Sequence, residues 1–99
     1  MTATELNGDK PKRRDKLVIM TEILIIAMRG ASKTQIMYKA NLSFSQLKHY
    51  LALLLRKSLL EKSPLNKREI YKATPKGLEF MERQLQIIDL INEDHIETA

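Results

Sequence analysis

The segment from Ser32 to Gly77 constrains the fold more than any other part of the chain. Ser32 can cap a short helix running to about Lys39, with Ile36 and Met37 turned inward, and Ala40-Asn41-Leu42 reads as a turn. Ser43 opens a second helical pattern, and Gln46 three positions later completes the sequence signature of a capping box. Phe44, Leu47, Leu51, Leu54 and Leu55 fall at helical spacing and form the expected buried face of that helix. Ser58 stands after it, where a left-handed glycine is common. Leu59–Ser63 and Glu69–Ala73 are short strand candidates around the turn Pro64-Leu65-Asn66-Lys67-Arg68. Thr74-Pro75 then supplies an N-cap and a proline at the first position of a last helix. This order is that of a helix-turn-helix continued into a β-wing. It places one helix where it can enter a DNA groove and a basic hairpin where it can touch the flanking backbone.

The flanks complete a three-part organisation. Residues 1–14 hold Gly8, Pro11 and a run of basic residues with one isolated leucine, so they read as a solvated, disordered arm. Asp15 can cap a first helix reaching about Arg29, and Gly30 stands in the C-terminal position that favours glycine. That helix is apolar around more than half its circumference and must be contacted on several sides. It also follows basic residues as the core of a secretory signal would. Glu22 interrupts the run, however, and Arg29 breaks the small-residue cleavage pattern. The winged helix-turn-helix unit is assigned to residues 15–77 and the last helix to 75–96. Gly77, in the first turn of that helix, predicts a close packing contact.

The last helix carries Leu78, Phe80, Met81, Leu85, Ile87, Ile88 and Ile91 on one broad face, opposite a polar arc from Glu79 to Glu93. A heptad-like seam runs Leu78, Met81, Leu85, Ile88, Asn92. A lone domain of this size covers the first turns of such a helix but not the last. The expected interface of a homodimer is therefore Leu78, Met81, Leu85, Ile88, Ile91 and Asn92. The fold class is mostly α with a small β-hairpin, a winged helix-turn-helix followed by a long C-terminal coiled-coil helix.

Charge separates the two ends. Residues 1–78 hold 16 Lys and Arg against 6 Asp and Glu, whereas residues 79–99 hold 1 against 6. A basic body points to a polyanionic partner, and an acidic tail faces away from it. The chain has no cysteine, which excludes disulfides and thiolate metal sites and fits a reducing compartment. No cofactor, metal or membrane partner is expected, and no catalytic motif is present. His49 and His95 are the only histidines, and no glycine-rich phosphate loop or nucleophile motif accompanies them. His95 with Glu93 and Asp94 reads as a solvated helix end, because adjacent residues do not share a helix face.

Candidate DNA contacts follow from position. Gln46, near the start of the third helix, can read adenine through its amide or can merely close the capping box with Ser43. Ser43 and Ser45 lie beside the helix N-terminus, where phosphate binds well. His49 is one turn along, facing either a base or solvent. Lys67 and Arg68 at the wing tip, with Lys62 and Lys72 in the same hairpin, suit phosphate or minor-groove contacts. Lys33, Lys39 and Lys48 extend a stripe along the second and third helices. Lys12, Arg13 and Arg14 supply a basic arm.

The run from Ser32 through Asn41-Leu42-Ser43-Phe44 to Leu51, with the junction Tyr71-Lys-Ala-Thr-Pro-Lys-Gly77, resembles the small archaeal winged-helix DNA-binding proteins of the Sulfolobus ten-kilodalton chromatin type. The resemblance covers roughly residues 16–92. It implies an elongated homodimer joined by an antiparallel coiled coil of the last helices, with a DNA-binding head at each end. The seam differs in spanning only about three heptads and ending in Asn92 and His95.

The expectation is a dimeric double-stranded DNA-binding protein, cytoplasmic and nucleoid-associated, acting as a transcription regulator or a chromatin protein. The rival is a winged-helix protein-interaction module that never touches nucleic acid. RNA binding lacks the aromatic platform expected for single strands.

Overall fold

The computed structural model describes residues 15–65 and 68–97. The arm residues Lys12, Arg13 and Arg14 and the wing-tip Lys67 lie outside the described residues. Helix α1 spans Lys16–Ile26 and strand β1 Ala31–Ser32; α2 is Lys33–Lys39 and α3 Phe44–Arg56. Strands β2 (Leu60–Leu65) and β3 (Arg68–Ala73) form the wing, and α4 runs from Pro75 to Glu97.

The first helix ends a turn earlier than its apolar run suggests. The carbonyl of its C-cap residue is engaged outside the helix: Ala27 O accepts from Ala73 N of β3 at 3.0 Å and from Gly30 N in the following turn at 3.2 Å. Gly30, at φ +98°, turns the chain sideways, and a β-carbon there would press on Ile70 at 3.1 Å. The turn delivers Ala31 and Ser32 to β3 as antiparallel partners of Tyr71 and Ile70. The sheet therefore has three strands in the order β1-β3-β2, where the sequence predicts only a hairpin. Two residues are too short a run for any periodicity to mark. Asp15 occupies the N-cap position of α1 in extended backbone, but its carboxylate makes no capping hydrogen bond. Ile19, Met20, Ile23 and Leu24 are buried, and the buried Thr21 hydroxyl is satisfied by donating to Leu17 O at 2.8 Å.

Helices α2 and α3 are built alike. Both open on complete capping boxes, Ser32 with Gln35 and Ser43 with Gln46. Both close on the paired hydrogen bonds of a Schellman motif. After α2, Leu42 N donates to Met37 O and Asn41 N to Tyr38 O, with Asn41 at φ 55°. After α3, Leu59 N donates to Leu54 O and Ser58 N to Leu55 O, with Ser58 at φ 62°. Serine in that left-handed position costs about 1 kcal/mol or more relative to glycine. The residue after each left-handed position, Leu42 or Leu59, is buried and completes the motif's apolar contact.

Two expectations about the core are corrected. Phe44 is 60% exposed, because it is the first residue of α3 and projects beyond the turn where packing begins at Leu47. Leu53 is buried instead, about a third of the way round α3 from the Leu47–Leu51–Leu54 stripe. The C-terminal half of α3 is thus covered on two sides, which a one-face amphipathic reading misses. Met81 is also buried within its own head, so it belongs to the intramolecular core and not to a free dimer face.

The junction between wing and α4 is fixed by Thr74, whose hydroxyl accepts from Gly77 N at 2.9 Å and donates to Ser58 O at 2.7 Å. The helix cap and the αL serine are therefore held by one side chain. Beyond Met81 the head no longer covers α4: Leu85, Ile87, Ile88, Leu90 and Ile91 are exposed.

Candidate nucleic-acid interface

The outward side of α3 is formed by Ser45, His49 and Ala52, spaced i, i+4, i+7 along one exposed ridge. Leu47, Leu51 and Leu54 hold the helix to the core from behind. Lys48 lies on the flank of the ridge with its Nζ 5.5 Å from the centroid of the Phe44 ring. His49 meets Tyr50 edge to face, with ring centroids 5.0 Å apart. Phe44 is the one residue at this surface that periodicity assigns to the interior. Its position at the helix start, ahead of any covering element, is the signal that places it outside.

Gln46 is exposed but not idle. Its Oε1 accepts from Ser43 N at 2.9 Å, and its own backbone N donates to Ser43 Oγ at 3.1 Å. A bidentate contact to adenine needs both the oxygen and the nitrogen of the amide. Reading adenine that way would open the capping box. Ser43 is committed to the same box and is exposed beside the helix N-terminus.

The wing distributes its cations over two faces. In the β2–β3 ladder Glu61 pairs with Lys72, Lys62 with Tyr71, and Leu65 with Arg68. Residues directly opposite share a face and successive pairs alternate, so Lys72 and Arg68 lie on one face and Lys62 on the other. Lys62 is also 3.7 Å from Glu69 as an exposed ion pair. Glu69 accepts the Tyr71 hydroxyl at 3.3 Å. Burial, followed by the nearby Glu69 charge and that hydrogen bond, raises the Tyr71 pKa above its ordinary 10.0.

Arg68 reaches the helix-turn-helix. With Glu69 beside it, Arg68 lines a cleft of about 600 Å³ shared with Ser32, Lys33, Thr34 and Gln35 at the start of α2. Lys33 and Arg68, far apart in sequence, are brought to one site by the β1–β3 pairing. Lys39 lies apart from them and lines a separate hollow with Glu22, Ile25 and Asn41. Lys33 and Arg68 therefore share one cleft and Lys48 lies on the flank of α3, while Lys39 lines a different hollow and Lys62 is on the other face of the wing. Among the described residues no group of three or more His, Cys, Asp or Glu is placed to hold a metal ion. Among them, too, no helix is long and apolar enough to cross a membrane.

Known proteins share this architecture. The chain is 34% identical over 83 residues to the protein MJ0290 of Methanocaldococcus jannaschii, a match covering 83% of this chain but only 37% of that relative's length. The crystal structure of Sso10a-2, a DNA-binding protein from Sulfolobus solfataricus, superposes with a TM-score of 0.74 at 24% identity, over 86% of this chain and 90% of that one. A mutant of MepR from S. aureus, bound to an oligodeoxyribonucleotide, superposes with a TM-score of 0.67 at 15% identity, over 84% of this chain and 62% of that one. A family model described as "Winged helix-turn-helix" matches residues 13–92, and with the three-stranded wing and two capped helices on that span, the chain belongs to the winged helix-turn-helix family.

Proposed function

We propose that this chain is a dimeric double-stranded DNA-binding protein, a transcription regulator or an architectural chromatin protein. The ridge Ser45–His49–Ala52 of α3 enters the major groove, and Arg68 and Lys72 of the wing meet the flanking backbone. The observation that carries this reading is the exposed polar face of α3, flanked by Lys48, together with the cleft that joins Arg68 of the wing to Lys33 of the helix-turn-helix. Ser45 and His49 are the base-edge candidates that no helix cap engages, and Gln46 joins them only by giving up its cap. Lys12, Arg13, Arg14 and Lys67 add phosphate contacts by charge. DNA-binding neighbours of the same fold support the reading without assigning a target. Support for the dimer comes from α4, where Leu85, Ile88 and Ile91 are exposed on a helix that the head has already left. Burying each would stabilise by about 1.5–3 kcal/mol. Antiparallel pairing is favoured because parallel pairing sets Glu93, Asp94 and Glu97 beside their own copies. A nucleoid-associated, cytoplasmic location goes with this role.

A gel shift on a random duplex across a salt series tests DNA binding, and sedimentation at tens of micromolar tests the dimer. Salt-sensitive retardation and a dimer that Ile88→Asp dissociates are the expected results. No retardation at low salt would move the chain to protein–protein interaction, with the exposed Leu17, Ile25 and Met28 of the first helical segment as its surface. The ratio of preferred-site to random affinity separates a regulator from an architectural protein.

A further inference from the structure

Phe44 is the first residue of α3 and, among the described residues, the one large apolar side chain exposed on that helix. A Cα–Cβ bond in a helix leans toward the N-terminus, so a side chain at the first position projects past the helix start. The polar side chains on either side of it are engaged. Ser43 N donates to Gln46 Oε1 at 2.9 Å and Gln46 N donates to Ser43 Oγ at 3.1 Å, which ties both residues to the cap. In the first turn of α3 the cap thus leaves out only Phe44 and Ser45 among the exposed side chains.

Lys48, one turn further on, shares the flank of Phe44 and keeps its Nζ 5.5 Å from the ring centroid. The ammonium steadies the ring while leaving 60% of the residue exposed. It also sets a cation beside the ring, as a contact to the neighbouring phosphate requires. A phenyl ring has no hydrogen-bonding atom, so it tells base pairs apart only by apolar contact. The apolar group that the major groove presents is the C5 methyl of thymine. The N-terminal residues of a helix lying in that groove are the ones that reach the base edges.

We propose that Phe44 is a thymine reader, whose ring packs on a thymine methyl under the start of α3 while Lys48 takes the adjacent phosphate. Base preference is then for A·T pairs at that position, and it is carried by an apolar contact instead of the Gln46 amide. The exposed ring, which the core leaves uncovered, is buried when the duplex is bound. This inference rests on the major-groove docking of α3 proposed above. A methyl contact of this kind changes affinity by about three- to fivefold.

The test is a competition, read by fluorescence anisotropy on the full chain at low salt, between two versions of one random-sequence duplex pool. One pool is made with thymidine and the other with deoxyuridine, which differs only in lacking the methyl. The unmodified chain should favour the thymine pool by about threefold or more. Phe44→Leu, which keeps an apolar side chain, should retain most of that preference, and Phe44→Ala should bind the two pools alike. The unfolding midpoint of Phe44→Ala should stay close to that of the unmodified chain, because the ring is exposed. A second arm restores the methyl on another base: 5-methylcytosine carries it at the same place in the major groove. Methylating a G·C duplex in this way should tighten binding by the unmodified chain and not by Phe44→Ala. If the unmodified chain binds both pools equally, or Phe44→Ala keeps the preference, the thymine assignment is wrong and DNA binding stands. If neither pool is bound at low salt, the DNA reading is wrong and the assignment falls with it.

Discussion

Gly77 lies so close to Leu59 that a β-carbon on residue 77 would stand 2.1 Å from the Leu59 carbonyl oxygen. The obstacle is backbone, at the point where Leu59 O already accepts from Thr74 N at 3.1 Å, so it cannot swing aside. Glycine here is a steric requirement of joining the wing root to α4.

Gly77→Ala should therefore destabilise the fold although alanine is the better helix former. Helix propensity favours the change by about 1 kcal/mol. Forcing the two backbones apart costs about 1–3 kcal/mol in an ordinary overpacked core and more against a fixed carbonyl. The expected net loss is roughly 2 kcal/mol, read as a lower midpoint in urea unfolding. A stability gain would mean that α4 does not pack on Leu59.

Gln46→Ala should lower stability by about 0.5–1 kcal/mol through loss of the α3 capping box. The ratio of preferred-site to random-DNA affinity should stay within about threefold, because the amide oxygen is engaged with Ser43 N. Ser45→Ala with His49→Ala should reduce that ratio at constant thermal stability. A tenfold or greater fall in the ratio for Gln46→Ala alone would make Gln46 a reader of adenine.

The two faces of the wing should differ in salt dependence. Removing Arg68 and Lys72 together should flatten the log–log slope of affinity against salt by about two per head and weaken binding on every sequence. Lys62→Ala should leave the slope nearly unchanged, since Lys62 is on the other face and paired with Glu69. Equal effects of the two changes would mean that DNA contacts the wing edge-on.

Tyr71 should make the fold sensitive to alkali. Its folded pKa lies above the ordinary 10.0, so between those two values the unfolded chain has lost a proton that the folded chain retains. Stability from this group is full below pH 10 and declines as pH rises through the folded value. Unfolding midpoints measured from pH 9 upward should fall more steeply for the unmodified chain than for Tyr71→Phe. Parallel curves would place the buried hydroxyl in water.

Much of the architecture is fixed by local chemistry and could be read directly. Ser32/Gln35, Ser43/Gln46 and Thr74-Pro75 announce three helix starts, because capping bonds are made within a few residues of one another. Asn41 and Ser58 stand where left-handed backbone ends a helix, and Gly77 marks a close approach. The basic body, acidic tail and apolar α4 are properties of composition and period, which folding does not alter.

Other features depend on residues distant along the chain. Strand β1 exists because Tyr71 and Ile70 receive it, and α1 stops at Ile26 because Ala73 competes for the Ala27 carbonyl. Phe44 is left outside the core and Met81, expected in the dimer seam, is drawn into its own head, since burial depends on whether a neighbouring element reaches that turn of the helix. The same holds for the surface: only the sheet register puts Arg68 beside Lys33 and turns Lys62 away. Where helices begin, and which residue types they carry, is therefore written in interactions spanning a few residues. Which of those residues meet is settled by long-range hydrogen bonding and packing, and these leave no periodic trace in the chain.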